Sequence, residues 1–283
     1  MVFELMVMCR LLSILSLDHS ITPKYLLKDC CSLYAQSKAD PSRLQSDGWG
    51  IGFYINCSPK VIKSEKPIYE EYERVQAVAS NLKSPIIIAH IRRASNPRGL
   101  PREKIISIEN SQPFNYENYV FAHNGVITIP DEMAELLGDW KKKIKSLNDS
   151  EIYFWHLVKE LSEGRSVSQA LKIFQKSFLK VWDENREKHP DKDRPYIGLN
   201  MILSDGKKLY AYCKYDETRD GRTKSLCYKN QPAMQMTYTA DSEKLIVSSE
   251  KTNTDDDWKP LKSEQLLVGQ IVDEKIKFHI EEI

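Results

Sequence analysis

Met8-Cys9-Arg10-Leu11-Leu12 opens the apolar run Cys9 to Leu15, and its reading decides what the rest of the chain is for. The run predicts a buried strand, in which a lone cysteine is ordinarily a small hydrophobe. Its meaning changes if Cys9 becomes residue one. A free α-amine, with a pKa of about 8 against about 8.5 for a free thiol, takes the thiol proton directly or through one water. Nucleophile and base then share one residue. The stretch Met1 to Leu17 lacks a basic start, carries Glu4 and Arg10, and is too short for a spanning helix, which excludes a signal peptide and an anchor. Met8 is also too large to precede a lipid-modified cysteine. Residues 1–8 are therefore expected to be either an upstream-start extension or a short propeptide.

Further motifs follow in a fixed order. Asp47-Gly48-Trp49-Gly50-Ile51-Gly52 leads into a strand and Ala89-His90-Ile91-Arg92-Arg93-Ala94-Ser95 leaves one. Asn110-Ser111-Gln112-Pro113-Phe114, Ala122-His123-Asn124-Gly125 and Asn148-Asp149-Ser150-Glu151 come after. Together with Cys9 they resemble the type 2 glutamine amidotransferases of the Ntn hydrolases, most closely the stand-alone members. The likeness runs from Cys9 into the C-terminal third, where Leu199 to Gly206 looks like a later strand pair of that family.

The resemblance implies an α+β fold, a four-layer αββα sandwich of the Ntn-hydrolase type, with residues 9–283 as a single amidotransferase domain. It makes Cys9 the nucleophile and gives the oxyanion to the Asn124 amide and the Gly125 N–H. Arg92 would bind the substrate α-carboxylate, whose two oxygens suit a guanidinium fork, and Asp149 the α-ammonium. Trp49 and Ser95 would complete the substrate contacts, although Ser95 stands where the family usually has Thr. The implied substrate is glutamine or another γ-glutamyl compound, with no cofactor and no metal. The released ammonia would pass to a separate synthase subunit or go free. Two alternatives remain open: a hydrolase of γ-glutamyl amides or peptides, and a non-catalytic γ-glutamyl-binding subunit with an unprocessed N-terminus.

Composition narrows the partners. Over 283 residues, 41 Lys and Arg stand against 40 Asp and Glu, a formal charge of +1 that gives no case for nucleic acid or an anionic membrane. Cysteines at 9, 30, 31, 57, 213 and 227 contain no C-x-x-C pair, which argues against a zinc site and a disulfide framework and for a reducing cytoplasm.

Local pattern gives each motif a plainer reading as well. Asn124-Gly125 is a hairpin signal leaving the strand Tyr119 to His123. Asp149 is a helix N-cap, with Phe154, Leu157, Val158 and Leu161 as the apolar face and Gly164 as the stop. His90, inside the apolar run Pro85 to Ile91, reads as a satisfied core histidine. Thr22-Pro23 predicts a helix carrying Leu27, Cys30, Cys31 and Tyr34 at helical spacing. Ala170, Leu171, Phe174 and Phe178 mark another, followed by a solvated loop over Asp183 to Arg194. Strands are expected at Ile51 to Ile55, Leu199 to Leu203, Leu209 to Cys213, Met236 to Thr239 and Leu245 to Ser249. The spaced glycines around Trp49 predict a close backbone approach, not a dinucleotide site, and Asp255-Asp256-Asp257 predicts a solvated turn.

Overall fold

A computed structural model describes residues 8–283. In chain order its strands are β1 (Arg10–Ser16), β2 (Trp49–Ile55), β3 (Ser58–Ser64), β4 (Ile86–Ile91), β5 (Phe114–Tyr116), β6 (Tyr119–Ile127), β7 (Tyr196–Ser204), β8 (Lys208–Cys213), β9 (Met236–Ala240), β10 (Lys244–Ser248), β11 (Lys259–Leu261), β12 (Gln265–Val272) and β13 (Lys275–Glu282). They form two antiparallel sheets. One has the order β11-β9-β10-β1-β4-β2-β3 and the other β13-β12-β8-β7-β6-β5.

Period-2 alternation sorts the side chains into layers. Along β1 and β4, Leu11, Leu15, Ile86 and Ile88 enter a core shared with Val120, Ala122, Ile202 and Ala211 of the second sheet. Leu12, Ile14, Ile87, Ala89 and Ile91 face the other way, under the helix α1 (Tyr72–Asn81) with its Val75 and Ala79. The outer face of the second sheet packs Phe121, Met201 and Leu203 against α2 (Asp149–Ser162) and α3 (Val167–Asn185), through Phe154, Leu157, Leu171, Phe174 and Phe178. The result is the four-layer αββα arrangement. The expected close approach lies at its centre: a Cβ on Gly52 would sit 2.5 Å from Val120 Cγ1 of the opposite sheet.

The elements differ from the sequence reading in particular places. Where one helix was expected from Thr22, a π-helical turn (Lys24–Lys28) ends at Asp29 and a short helix restarts at Leu33–Gln36. Cys30 and Cys31 fall in the break. Cys30 is exposed, whereas Cys31 forms a disulfide with Cys227 across a separation of 196 residues, so the expectation of no disulfide is corrected. Part of the segment read as a solvated loop, up to Asn185, is the last turn of α3, and a 3-10 turn continues it to Lys188. Asp256 is not a solvated turn residue. It accepts hydrogen bonds from Lys24 and Lys244 at 3.0 and 2.8 Å and from Asn253 and Tyr25. Burial opposes its ionisation, but these donors hold its carboxyl well below the usual range.

His123 on β6 and His156 on α2 are both enclosed, and burial pushes each imidazole down to about 4 from an ordinary 6.5. The folded chain therefore keeps both neutral while the unfolded chain takes up protons first as pH falls. Their contribution is complete above about pH 6.5 and is lost progressively toward pH 4, by roughly 3 kcal/mol for each. Thermal melts across that interval should show Tm dropping steeply. A flat Tm from pH 6.5 to 4.5 would show that neither imidazole is held neutral.

Candidate active site

Cys9 lies one residue before β1, in phase with Leu11 and Leu15, so its side chain belongs to the inter-sheet face. Its Sγ donates to the Arg93 carbonyl at 3.4 Å. The residue is only partly accessible, and desolvation pushes its thiol up to about 11; the charge of Arg92 opposes that shift, and those of Asp149 and Asp47 reinforce it. Met8, still joined to it, is buried in the same inter-sheet core.

β4 pairs with β1 through Arg10 opposite Ile91 and Leu11 opposite His90, which sets Arg92 beside Cys9. Arg92 is 4% exposed. Its Nη1 donates to the Ile105 carbonyl at 2.7 Å, and among the described residues no carboxylate forms an ion pair with it. Burial disfavours its charge, which Asp47 and Asp149 support. The backbone is pinned on both sides: Arg92 N donates to the Gly48 carbonyl at 2.8 Å and Asp47 N to the Arg92 carbonyl at 3.0 Å. Asp47 also accepts from Ala94 N at 2.7 Å and pairs with Arg102. The Asp47 motif thus fixes the loop after β4.

Asp149 is the first residue of α2, and the N-cap is its neighbour Asn148, whose side chain accepts from Ser150 N. That corrects the N-cap reading and leaves the Asp149 carboxylate for other work. It accepts from Ile127 N at 2.7 Å and from Ser95 Oγ at 3.3 Å. Burial raises its pKa despite these donors and the nearby Arg98 charge. No cation forms an ion pair with it among the described residues.

Asn124 and Gly125 do not make a hairpin turn. β6 runs straight through them to Ile127, because β7 pairs along its whole length, with an irregularity between Gly125 and Val126. Asn124 alternates with Ala122 and Val120 and so faces the inter-sheet core. It is 1% exposed, and neither atom of its amide has a hydrogen-bond partner. His90 is a second orphan there. It is buried, neither ring nitrogen is bonded, and burial together with the Arg92 charge holds it neutral, so it is not the satisfied core histidine expected.

Trp49 is a correction. Its side chain is fully buried on the outer face of the first sheet, its Nε1 donates to Glu71 at 2.9 Å, and Arg74 lies over its ring. Strand alternation turns it away from Cys9, so it supports the sheet and does not reach the site.

Sequence pattern missed the supporting residues. Arg10, buried behind Cys9, lies 3.8 Å from Glu250 and donates to the Cys9 carbonyl at 3.2 Å. Glu250 accepts from Leu226 N, Cys227 N and Tyr228 N. Cys31, Cys227 and Glu250 come within metal-ligand reach of one another, but the sulfurs are bonded together and the carboxylate is taken up by those N–H groups. Nothing in the spacing of 31, 227 and 250 signals this.

The two-sheet αββα fold with an inter-sheet cysteine at a strand start defines the class, and comparison with known proteins gives the family. Residues 8–277 match the family described as class-II glutamine amidotransferases, and the chain belongs to it. It is 29% identical over 173 residues to the Escherichia coli protein YafJ, described as a candidate glutamine amidotransferase; the match covers 59% of this chain and 60% of that protein. A 94-residue stretch is 31% identical to the γ-glutamyl-hercynylcysteine sulfoxide hydrolase of Mycobacterium tuberculosis, covering 33% of this chain and 37% of that one. The fold is shared with a glutamine aminotransferase class-II domain protein from Silicibacter pomeroyi, with a TM-score of 0.61 and 16% identity over 96% of this chain and 98% of that one. No helix among the described residues is long and apolar enough to cross a membrane.

While Met8 remains attached, the high thiol pKa leaves Cys9 almost wholly protonated at pH 8, whereas Cys30 and Cys57 are exposed. Brief iodoacetamide treatment of that form, followed by peptide mass mapping, should label Cys30 and Cys57 and spare Cys9. Fast labelling of Cys9 with Met8 in place would contradict the quiet thiol.

Proposed function

We propose that residues 9–283 act as one domain that cleaves the γ-amide of glutamine or of a closely related γ-glutamyl compound through a Cys9 thioester. The observation that carries this reading is the pairing of buried, unmatched charges beside the thiol: Arg92 without an anion and Asp149 without a cation. An α-amino acid supplies both. Its carboxylate would pair with Arg92 and its ammonium with Asp149, assisted by Ser95, which leaves the γ-carboxamide to reach Cys9.

The step requires Cys9 to carry a free α-amine. With that amine as base, the thiol attacks the carbonyl carbon of the γ-carboxamide, the C–N bond breaks, and the amine relays the proton to the departing nitrogen. Asn124, whose buried amide has no partner, and the Gly125 N–H would hold the developing oxyanion. Water then hydrolyses the thioester to glutamate. All of these groups belong to the chain. Loss of residues 1–8 would both create the base and vacate the buried place of Met8; residues 1–7 lie outside the described ones.

Hydrolysis of a larger γ-glutamyl amide is the second reading, favoured by the mycobacterial hydrolase relative. Delivery of ammonia to a separate synthase subunit would use the same first half-reaction. A cytoplasmic location is proposed with it, against which the Cys31–Cys227 bond is the one contrary feature.

The test is release of glutamate from glutamine and a panel of γ-glutamyl amides, with N-terminal sequencing of the active protein. Active chains should begin at Cys9, and robust turnover by a homogeneous chain that retains Met8 would sink the mechanism. N-acetyl and α-amide glutamine should each lose roughly 2–5 kcal/mol in kcat/KM, because each leaves a buried charge unpaired. Arg92→Lys keeps the charge but not the fork and should weaken glutamine use severely. Equal kcat/KM for all three substrates would remove Arg92 and Asp149 from the site.

A further inference from the structure

The oxyanion residues proposed above sit on a strand whose backbone is held by side chains. At His123, just before Asn124, β5 has already ended, and Gln112 takes the place of a neighbouring strand. Its Oε1 accepts from His123 N at 2.7 Å and its Nε2 donates to the His123 carbonyl at 3.1 Å. On the other flank, β7 carries an extra residue. Gly125 pairs with Leu199 and Val126 with Ile197, so Gly198 is bulged out, at φ +68. A bulge re-aims the backbone beside it. Here the Gly198 carbonyl comes so close that a Cβ on Gly125 would lie 2.1 Å from it.

The His123 ring bridges these features. It points away from the inter-sheet core, edge-on to Tyr153, with Nε2 3.4 Å from the Gly198 carbonyl and Nδ1 2.9 Å from Ser150 Oγ. A carbonyl only accepts, so Nε2 carries the proton and Nδ1 accepts from the Ser150 hydroxyl. Ser150 Oγ in turn accepts from Gln112 Nε2 at 3.2 Å. Every group in this buried chain has one consistent direction, Gln112 to Ser150 to His123 to Gly198, and burial keeps the imidazole neutral so that the direction is preserved.

We infer that His123, oriented by Ser150, is the positioning residue of the Asn124–Gly125 oxyanion site, and that Ser150 ties that site to the amino-acid anchor Asp149. Ser150 and Asp149 are adjacent at the start of α2, and they grip β6 on either side of the oxyanion pair, at His123 and at Ile127. The inference rests on the proposed amide cleavage.

The experiment uses chains that begin at Cys9 and compares wild type with Ser150→Ala and His123→Gln, the latter keeping a donor for the Gly198 carbonyl while losing the acceptor for Ser150. Ser150→Thr, which keeps the hydroxyl, is the conservative control. Outright loss of an oxyanion donor typically costs ~10²–10³-fold, so displacement of intact donors should cost at least about tenfold in kcat with KM for glutamine within about twofold. Binding of the aldehyde analogue of glutamine, whose hemithioacetal oxygen occupies the oxyanion place, should weaken by the same factor, while glutamate binding and iodoacetamide labelling of Cys9 stay unchanged. Ser150→Thr should retain most of the rate. A purely structural role predicts a lower Tm with the aldehyde-to-glutamate affinity ratio intact, and that result would overturn the inference, as would kcat within twofold in either folded variant. If wild type beginning at Cys9 releases no glutamate from any γ-glutamyl compound, the proposed function falls and takes this inference with it. An active wild type with unaffected variants removes the inference alone.

Discussion

A guanidinium taken out of water without an anion beside it is among the least favourable features a folded chain can keep, and Arg92 is one. Much of the site is arranged to tolerate it. The fields of Asp47 and Asp149 support its charge, and the Ile105 carbonyl accepts a hydrogen bond from it. The Asp47 loop clasps its backbone on both sides. None of these contacts supplies the two parallel acceptors that a guanidinium fork prefers, which is the place the proposed function gives to a substrate carboxylate.

Other buried polar groups around Cys9 find partners to different degrees. Glu250 and Arg10 are as deeply enclosed as Arg92, yet they lie near each other, and Glu250 also collects three backbone N–H groups. Arg10 also holds the entry to β1 in place through the Cys9 carbonyl. Asp149, the Asn124 amide and His90 are not matched. Arg10 Nε also lacks a hydrogen-bond partner, so orphaned atoms occur on both faces of the first sheet.

What the sequence made legible was whatever local pattern and motif order encode. The continuous apolar runs of β1 and β4 and the amphipathic faces of α2 and α3 are short-range signals, and they gave the elements, whereas the layering came only with the family resemblance. The places of Cys9, Arg92, Asn124 and Asp149 came from order along the chain. Long-range partners were not legible. Asn124-Gly125 has the composition of a turn and becomes mid-strand because β7, some seventy residues later, pairs through it. Trp49 belongs to a substrate-site motif but alternation sends it to the outer core. The Cys31–Cys227 bond and the Arg10–Glu250 pair join residues roughly two hundred or more positions apart. At the C-terminal end, β11 is three residues long and contains Pro260, and β13 carries Lys275, Lys277, Glu281 and Glu282, while the uncharged run of β12 is a strand signal that the sequence reading misses.

On the proposed reading the site inspects the amino-acid end of its substrate and very little else. Arg92 and Asp149 would each exchange a desolvation penalty for an ion pair only when the α-carboxylate and α-ammonium arrive together, so the clamp's selectivity concerns those two charges. Cys9 and the Asn124–Gly125 pair act on the γ-carbonyl, which is the same atom in glutamine and in any γ-glutamyl amide. What hangs from the departing nitrogen lies beyond every residue identified here. Discrimination between glutamine and a larger conjugate therefore rests on residues outside the clamp and the nucleophile. Variation in those residues, with the clamp and the nucleophile kept, is a physical route by which one fold can serve both a glutaminase and a γ-glutamyl hydrolase.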